Sequence, residues 1–331
     1  MKRKRLAPLV FAILFFSGVI SVFADSTGNT PSSGGDDSKI LPRFDFFGTG
    51  AVAVTGSSED SASINVGSTD SWTFTLLGVQ GKIEQAWLYI GIYDSKSTDT
   101  TSWNFNLTHG GITVSYLNKT TPYDQDVAYE LFRYDVTAIL PTLGLSVNGL
   151  YTLDVKHVSG SNSDRVYGVG IVVVYSHPSL PLVCIWINDG CEFLLGNVTT
   201  STDFKNLGQP PGGGSSTLYT MVGGGNPGFP FDDDEVYFDG YLLATGAFDS
   251  SNGFLFDVDS FNVQPYMGAG AHSASFYANY DGYFVYTAVL SYNPYLPIQV
   301  IPETPFGNFT AALMMLLGLA FYTLKKGIIS I

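Results

Sequence analysis

Between Ile40 and Pro297 apolar and polar residues alternate in short runs, with a period of two and no sustained period of 3.6. Ala51 to Thr55, Trp72 to Leu77, Gln85 to Tyr93, Trp103 to Leu107 and Ile112 to Leu117 are such runs, separated by Gly, Asn, Asp and Ser. Alternation puts every second side chain on one face, which is what a half-buried strand requires. The most apolar stretch is Tyr167 to Leu195, YGVGIVVVYSHPSLPLVCIWINDGCEFLL. Its β-branched run Ile171 to Tyr175 predicts a buried strand, Pro178 and Pro181 an extended crossing, and Leu182 to Ile187 a second strand. Asn188-Asp189-Gly190 then reads as a tight turn, because these residues accept a positive φ. The expected fold is all-β: two tandem β-sandwich, jelly-roll-like domains.

The boundaries follow from changes of texture. Residues 25–39 are polar and Gly/Ser-rich and read as a flexible leader. Domain 1 is expected at 40–207, a Gly/Pro linker at 208–216 and domain 2 at 217–300. An internal repeat supports two domains. Leu131-Phe-Arg-Tyr-Asp135-Val136 is echoed by Phe254-Leu-Phe-Asp257-Val258, and the words ending Tyr175-Ser-His-Pro178 by Tyr292-Asn-Pro294, in the same order. Leu88-Tyr89 pairs with Leu218-Tyr219 in the same sense.

The two ends address the chain to a membrane. Lys2-Arg3-Lys4-Arg5, an apolar run from Leu6 to Phe23 and Val22-Phe23-Ala24 have the form of a signal peptide, 1–24, cut after Ala24; a retained anchor is the other reading. Residues 306–324 are uncharged and apolar, and nineteen residues of helix span about 28 Å, enough for a bilayer core. Lys325-Lys326 beyond them would hold the tail 325–331 in the cytoplasm. The expected localisation is the cell surface, single-pass, with the ectodomain outside.

Asp135-Val136-Thr137, a Gly-containing turn and a strand, Tyr167-Gly168 leading into Ile171 to Tyr175, and Ile187-Asn188-Asp189-Gly190 together resemble an uncharacterised archaeal surface family, domain of unknown function 3344. The resemblance covers mainly Gln85 to Leu195, with a fainter second copy up to Pro297. It implies a secreted or membrane-anchored envelope protein with repeated domains, and brings no catalytic residue with it. Pro302-Glu-Thr-Pro-Phe-Gly307, followed by the apolar run and two lysines, resembles the sorting signals processed by archaeosortases and exosortases. Their Pro-Glu-Phe or Pro-Gly-Phe core is absent in that form, so a processed tail and a retained anchor both stand.

Charge narrows the partners. Four of the fifteen basic residues lie in the first five positions and two in the tail, leaving nine against 29 acids, a net charge of −20. Such a surface repels nucleic acid and anionic lipid. It also raises the question of Ca²⁺, which takes six to eight oxygens. Asp232-Asp233-Asp234-Glu235 with Asp239 is the first candidate site and Asp124 with Asp126 the second, although neither has the spacing of an EF-hand loop. Asn106, Asn118 and Asn197 head sequons in expected loops or strand ends and are candidate glycosylation sites. Cys184 and Cys191 read as buried free thiols if Asp189-Gly190 is the turn, and a different register would allow a disulfide.

The four histidines are far apart, and no nucleophile elbow, Walker loop or dinucleotide fingerprint occurs, so no enzyme is expected. Twenty Tyr and four Trp invite a sugar-stacking role, with Trp72, Trp87, Trp103 and Trp186 in expected strands, or simply core packing. The expected function is a structural or adhesive envelope component, whose partners are the membrane and envelope glycans or copies of itself. A carbohydrate-binding module assisted by Ca²⁺ is the rival reading, and a secreted hydrolase a third.

Overall fold

The computed structural model describes residues 39–57, 63–93, 102–119, 124–126, 129–144, 146–162, 164–204, 211–224, 234–248, 256–279 and 282–294, by backbone alone at 116–119, 124–126 and 211–213. Among these, the chain forms strands β1 (Leu41–Ser57), β2 (Thr69–Leu76), β3 (Lys82–Tyr93), β4 (Ser102–His109), β5 (Ile112–Lys119), β6 (Asp124–Asp126), β7 (Tyr129–Asp135), β8 (Gly149–Ser159) and β9 (Arg165–Ser176). It continues with β10 (Leu182–Leu195), β11 (Val198–Phe204), β12 (Pro211–Gly223), β13 (Glu235–Phe238), β14 (Tyr241–Thr245), β15 (Phe256–Asn262), β16 (His272–Ala278) and β17 (Gly282–Pro294). All pairings are antiparallel, in a nine-stranded sheet ordered β15-β12-β17-β10-β1-β9-β3-β7-β6 and two four-stranded sheets, β2-β8-β4-β5 and β11-β16-β13-β14. No helix among the described residues is long and apolar enough to cross a membrane; 1–24 and 306–324 lie outside them.

Strand β1 is the hinge of the large sheet. Its first half, Leu41 to Thr49, pairs with β10, and its second, Gly50 to Ser57, with β9. At the changeover a Cβ on Gly50 would lie 2.3 Å from the Tyr175 carbonyl oxygen, so only glycine lets the strand pass. On either side of β1 the sheet folds back, and its two halves meet face to face. One core lies between them: Trp87, Tyr89, Val172, Val174, Ile185, Ile187, Phe284, Tyr286 and their neighbours. A second core, with Trp72, Trp103 and Tyr151 at its centre, lies between β2-β8-β4-β5 and the β9-β3-β7 half. A third, with Phe238, Phe276 and Tyr283, lies between β11-β16-β13-β14 and the β10-β17-β12 half. All four tryptophans are buried.

This layering accounts for the two hydrophobic textures in the chain. Strands β9, β10 and β17 of the large sheet are covered on both faces and buried almost without interruption. The outer strands bury one face only and alternate, as in HSASFYA of β16. Close approach of the halves relies on small residues. An added Cβ would stand 2.3 Å from Phe256 at Gly168, 2.6 Å from the Met221 sulfur at Gly170 and 2.5 Å from the Tyr286 phenol at Gly91.

The echoed words fall on equivalent strands. Leu88-Tyr89 lies in β3, Leu131 to Asp135 in β7 and Ile171 to Tyr175 in β9; their counterparts lie in β12, β15 and β17. The order β1-β9-β3-β7 is matched by β10-β17-β12-β15, and β2-β8-β4-β5 by β11-β16-β13-β14. From Pro211 the expected linker is strand β12 instead, with Gly214 packed on Asn293 of β17; the chain passes between the two sets of strands at 177–181.

The expected turn at Asn188-Asp189-Gly190 is a correction of the same kind. Strand β10 runs through it, with a register shift between Asp189 and Glu192. Asp189 is fully buried, and its carboxylate takes hydrogen bonds from Arg43 Nε at 3.2 Å, Arg133 Nη1 at 2.7 Å and the Tyr89 phenol at 2.8 Å. Arg133 also lies over the Trp87 ring, 4.4 Å from its centroid. An aspartate engaged by three donors on β1, β7 and β3 does not cap a turn of its own backbone. Removing one member of such a buried network leaves the others uncompensated, so Asp189→Ala is expected to cost about 3–5 kcal/mol. Equilibrium denaturation against the unaltered chain measures it; a loss within experimental error would mean the network is dispensable.

Candidate functional site

The inner faces of the large sheet are used up in packing, which leaves the outer faces of the four-stranded sheets open. On the outer face of β11-β16-β13-β14 lies an open groove of about 730 Å³. Strand register builds it as two parallel rows. Thr199, Tyr277, Glu235 and Thr245 stand opposite one another across all four strands. Ser201, Ser275 and Tyr237 form the adjoining row. Three inter-strand spacings make a row roughly 14 Å long.

Both tyrosines are held by their hydroxyls. The Tyr277 phenol donates to Asn197 Oδ1 at 2.8 Å, and the Tyr237 phenol donates to Glu235 Oε2. The Glu235 carboxylate raises the Tyr237 pKa, chiefly through this hydrogen bond. Asn197 reaches Tyr277 from the turn Gly196-Asn197, where both residues have positive φ, 66° and 62°. At the other end Asp239-Gly240, with φ of 51° and 77°, closes the β13–β14 hairpin, as Asp-Gly pairs favour. Asp239 also accepts from Ser273 N at 2.9 Å and from His272 Nδ1 at 2.5 Å, which fixes the hairpin to β16.

The residues singled out from sequence meet this groove only in part. Of the acidic run, Asp232 and Asp233 lie outside the described residues. Asp234 and Glu235 point to opposite faces: Asp234 is 1% exposed, and Glu235 lines the groove. Asp124 and Asp126 are described by backbone alone, in β6. Among the described residues no group of three His, Cys, Asp or Glu is arranged to hold a metal ion. Asn106, expected in a loop or strand end, sits within β4, paired with Ser115 on one side and Asp154 on the other. Asn118 ends β5, by backbone only, and Asn197 is exposed at its turn. Of the sequon residues, Asn197 and Thr199 belong to the groove wall.

Cys184 and Cys191 are both buried free thiols, on opposite faces of β10. Burial pushes the Cys184 thiol from 9.0 up to about 12, and raises Tyr283 and Tyr286 well above the usual phenol value. The groove was not visible in the sequence. Tyr237 and Tyr277 are forty positions apart, and only the register of β13 on β16 brings them together.

A family described as Protein of unknown function (DUF3344) matches residues 35–292. The chain belongs to that family. No curated protein matches it. Among solved structures it is similar to a peptide N-glycanase F, at 13% identity and a TM-score of 0.29, covering 75% of this chain and 97% of that one. It is also similar to PNGF-II, at 8% identity and a TM-score of 0.28, covering 74% and 66%. A β-porphyranase of glycoside hydrolase family 86 from Bacteroides plebeius matches at 11% identity and a TM-score of 0.26, covering 68% of this chain and 35% of that one. The expectation that the chain is no enzyme is overturned by these matches, which are to an amidase and a glycoside hydrolase. The likeness is too distant to assign either reaction to this chain.

The buried thiol and phenols stay protonated in the fold and ionise sooner when it unfolds. The unfolded chain therefore binds fewer protons above pH 9, and stability falls as pH rises from 9 towards about 12. Melting temperatures across that window are expected to drop steadily; a flat profile would contradict the burial of these groups.

Proposed function

We propose that the chain is a glycan-binding protein of the cell surface, built from two β-sandwich units and holding its ligand in the groove on β11-β16-β13-β14. The observation that carries this reading is the pair of clamped tyrosines, Tyr237 and Tyr277, set among hydroxyls, an amide and one carboxylate. Aromatic faces stack on the apolar faces of sugar rings, while polar groups beside them take the hydroxyls. The equivalent face of the other four-stranded sheet offers no such pair among its described side chains: Ser71, Thr73, Asn104, Asn106, Thr152 and Asp154 stand there. Among the described side chains the tyrosine pair stands on one of the two equivalent faces and has no counterpart on the other, which argues against its being incidental.

The signal-like residues 1–24 and the apolar stretch 306–324 with Lys325-Lys326 support export and anchoring, with the sandwich units outside. An adhesive role through self-association has its own support. Strand β14 is a sheet edge, and its Tyr241 and Leu242 are 56% and 46% exposed. The two roles are compatible, since an adhesin also needs a ligand.

The test is a titration of the full chain with oligosaccharides by calorimetry. Tyr237→Ala and Tyr277→Ala are each expected to weaken binding at least about tenfold, or ~1.4 kcal/mol. Melting temperatures of the two variants should stay close to that of the unaltered chain, as both side chains are half-buried on an outer face. Binding unchanged in both variants would remove the groove from the function. Following the release of products in the same samples decides whether what is held is also cleaved.

A further inference from the structure

The geometry points to an uncharged, hydroxyl-rich glycan as the occupant of this groove, with carboxylated and sulfated glycans turned away. The inference rests on the glycan-binding reading above and sharpens it to a class of ligand. It begins with the charge of the chain that builds the groove. From Leu182 to Pro294 there are twelve Asp and Glu, a single Lys and no Arg. Among the described residues Glu235 is the one charged side chain in the lining, and Asp239 stands at the hairpin at the other end of β13. The arginines that approach this half of the molecule, Arg43 and Arg133, are tied to Asp189 in the inner layer, on the far side of the large sheet from the groove. An anion entering the groove thus meets a negative field, and among the described residues the lining has no guanidinium or ammonium to receive it.

The hydrogen-bonding inventory leads to the same class. Glu235 Oε2 already takes the Tyr237 proton, and Oε1 and the remaining lone pairs are acceptors only. Tyr277 spends its proton on Asn197, so its oxygen too faces the ligand as an acceptor. The lining is therefore rich in acceptors, relieved by the hydroxyls of Thr199, Thr245 and Ser275 and the amide of Asn279, which both donate and accept. Sugar hydroxyls donate as well as accept and can meet all of these groups. A carboxylate or a sulfate ester only accepts, and beside Glu235 it would have two acceptors and two negative charges in contact.

The full chain is titrated at low and at high ionic strength with three matched sets of short oligosaccharides: uncharged hexose and N-acetylhexosamine oligomers, their uronate counterparts and their sulfated counterparts. The uncharged set is expected to bind at least about tenfold more tightly at low ionic strength, with the gap closing as salt screens the field. Glu235→Gln is expected to narrow that gap, because it removes the charge from the described lining and keeps an acceptor for the Tyr237 phenol. Anionic oligosaccharides bound as tightly as the uncharged ones, or more tightly, would overturn the inference and leave the glycan-binding groove standing. If none of the three sets binds, the groove reading itself falls, and this inference with it.

Discussion

A fully buried carboxylate organises the molecule. Asp189 belongs to β10 in one half of the large sheet, while Arg133 and Tyr89 belong to β7 and β3 in the other, and Arg43 to the strand that joins them. Burying a carboxylate without partners costs far more than the fold can spare, so the three donors must come to it together. They do so only when the sheet folds back about β1 with its halves in one register. Any register of the two halves that left these donors out of reach would strand a buried charge, so the network disfavours such registers.

Folding back has a geometrical consequence for function. The two inner sheets press together so closely that Gly91, Gly168 and Gly170 face the rings of Tyr286 and Phe256 and the sulfur of Met221. The two outer faces, which are equivalent in strand order, lie away from this packing. Equivalent backbones can carry different outward residues, because outward positions contribute little to stability. Tyr237 and Tyr277 occupy such positions.

Much of the fold could be read in the sequence because burial writes itself into periodicity. The alternation of β2, β4 and β16 and the unbroken apolar runs of β9 and β10 gave an all-β chain, and the words around Asp135 and Asp257 fall on equivalent strands. The failures share a cause. Asn188-Asp189-Gly190 has the local chemistry of a turn, and the Gly/Pro-rich 208–216 that of a linker; distant partners decide otherwise, two arginines in the first and, from Pro211 onward, strand β17 with Asn293 in the second. The genuine turns, Gly196-Asn197 and Asp239-Gly240, use the same residue types, and their side-chain partners Tyr277, Ser273 and His272 lie on one neighbouring strand, β16, rather than across the large sheet. Attention to the acidic run also misdirected the search for a site, since strand alternation sends Asp234 inward and Glu235 outward.

The groove depends on long-range register, and so does its rigidity. A tyrosine free to rotate loses conformational freedom when a ligand stacks on it, and that loss is subtracted from affinity. Here each phenol is already fixed, Tyr277 by an asparagine on β11's entry turn and Tyr237 by a glutamate two positions back on its own strand. Asn197 can do this because it holds a positive φ that most residues avoid, a conformation with a cost of its own. Asp239, also at positive φ, anchors the hairpin at the opposite end through Ser273 and His272. Two strained turns, one at each end, and two clamped rings between them make a surface that is set before a ligand arrives. An ordinary outward face gains nothing from such restraint, whereas an open groove with the proposed binding role gains from having its own entropy already lost.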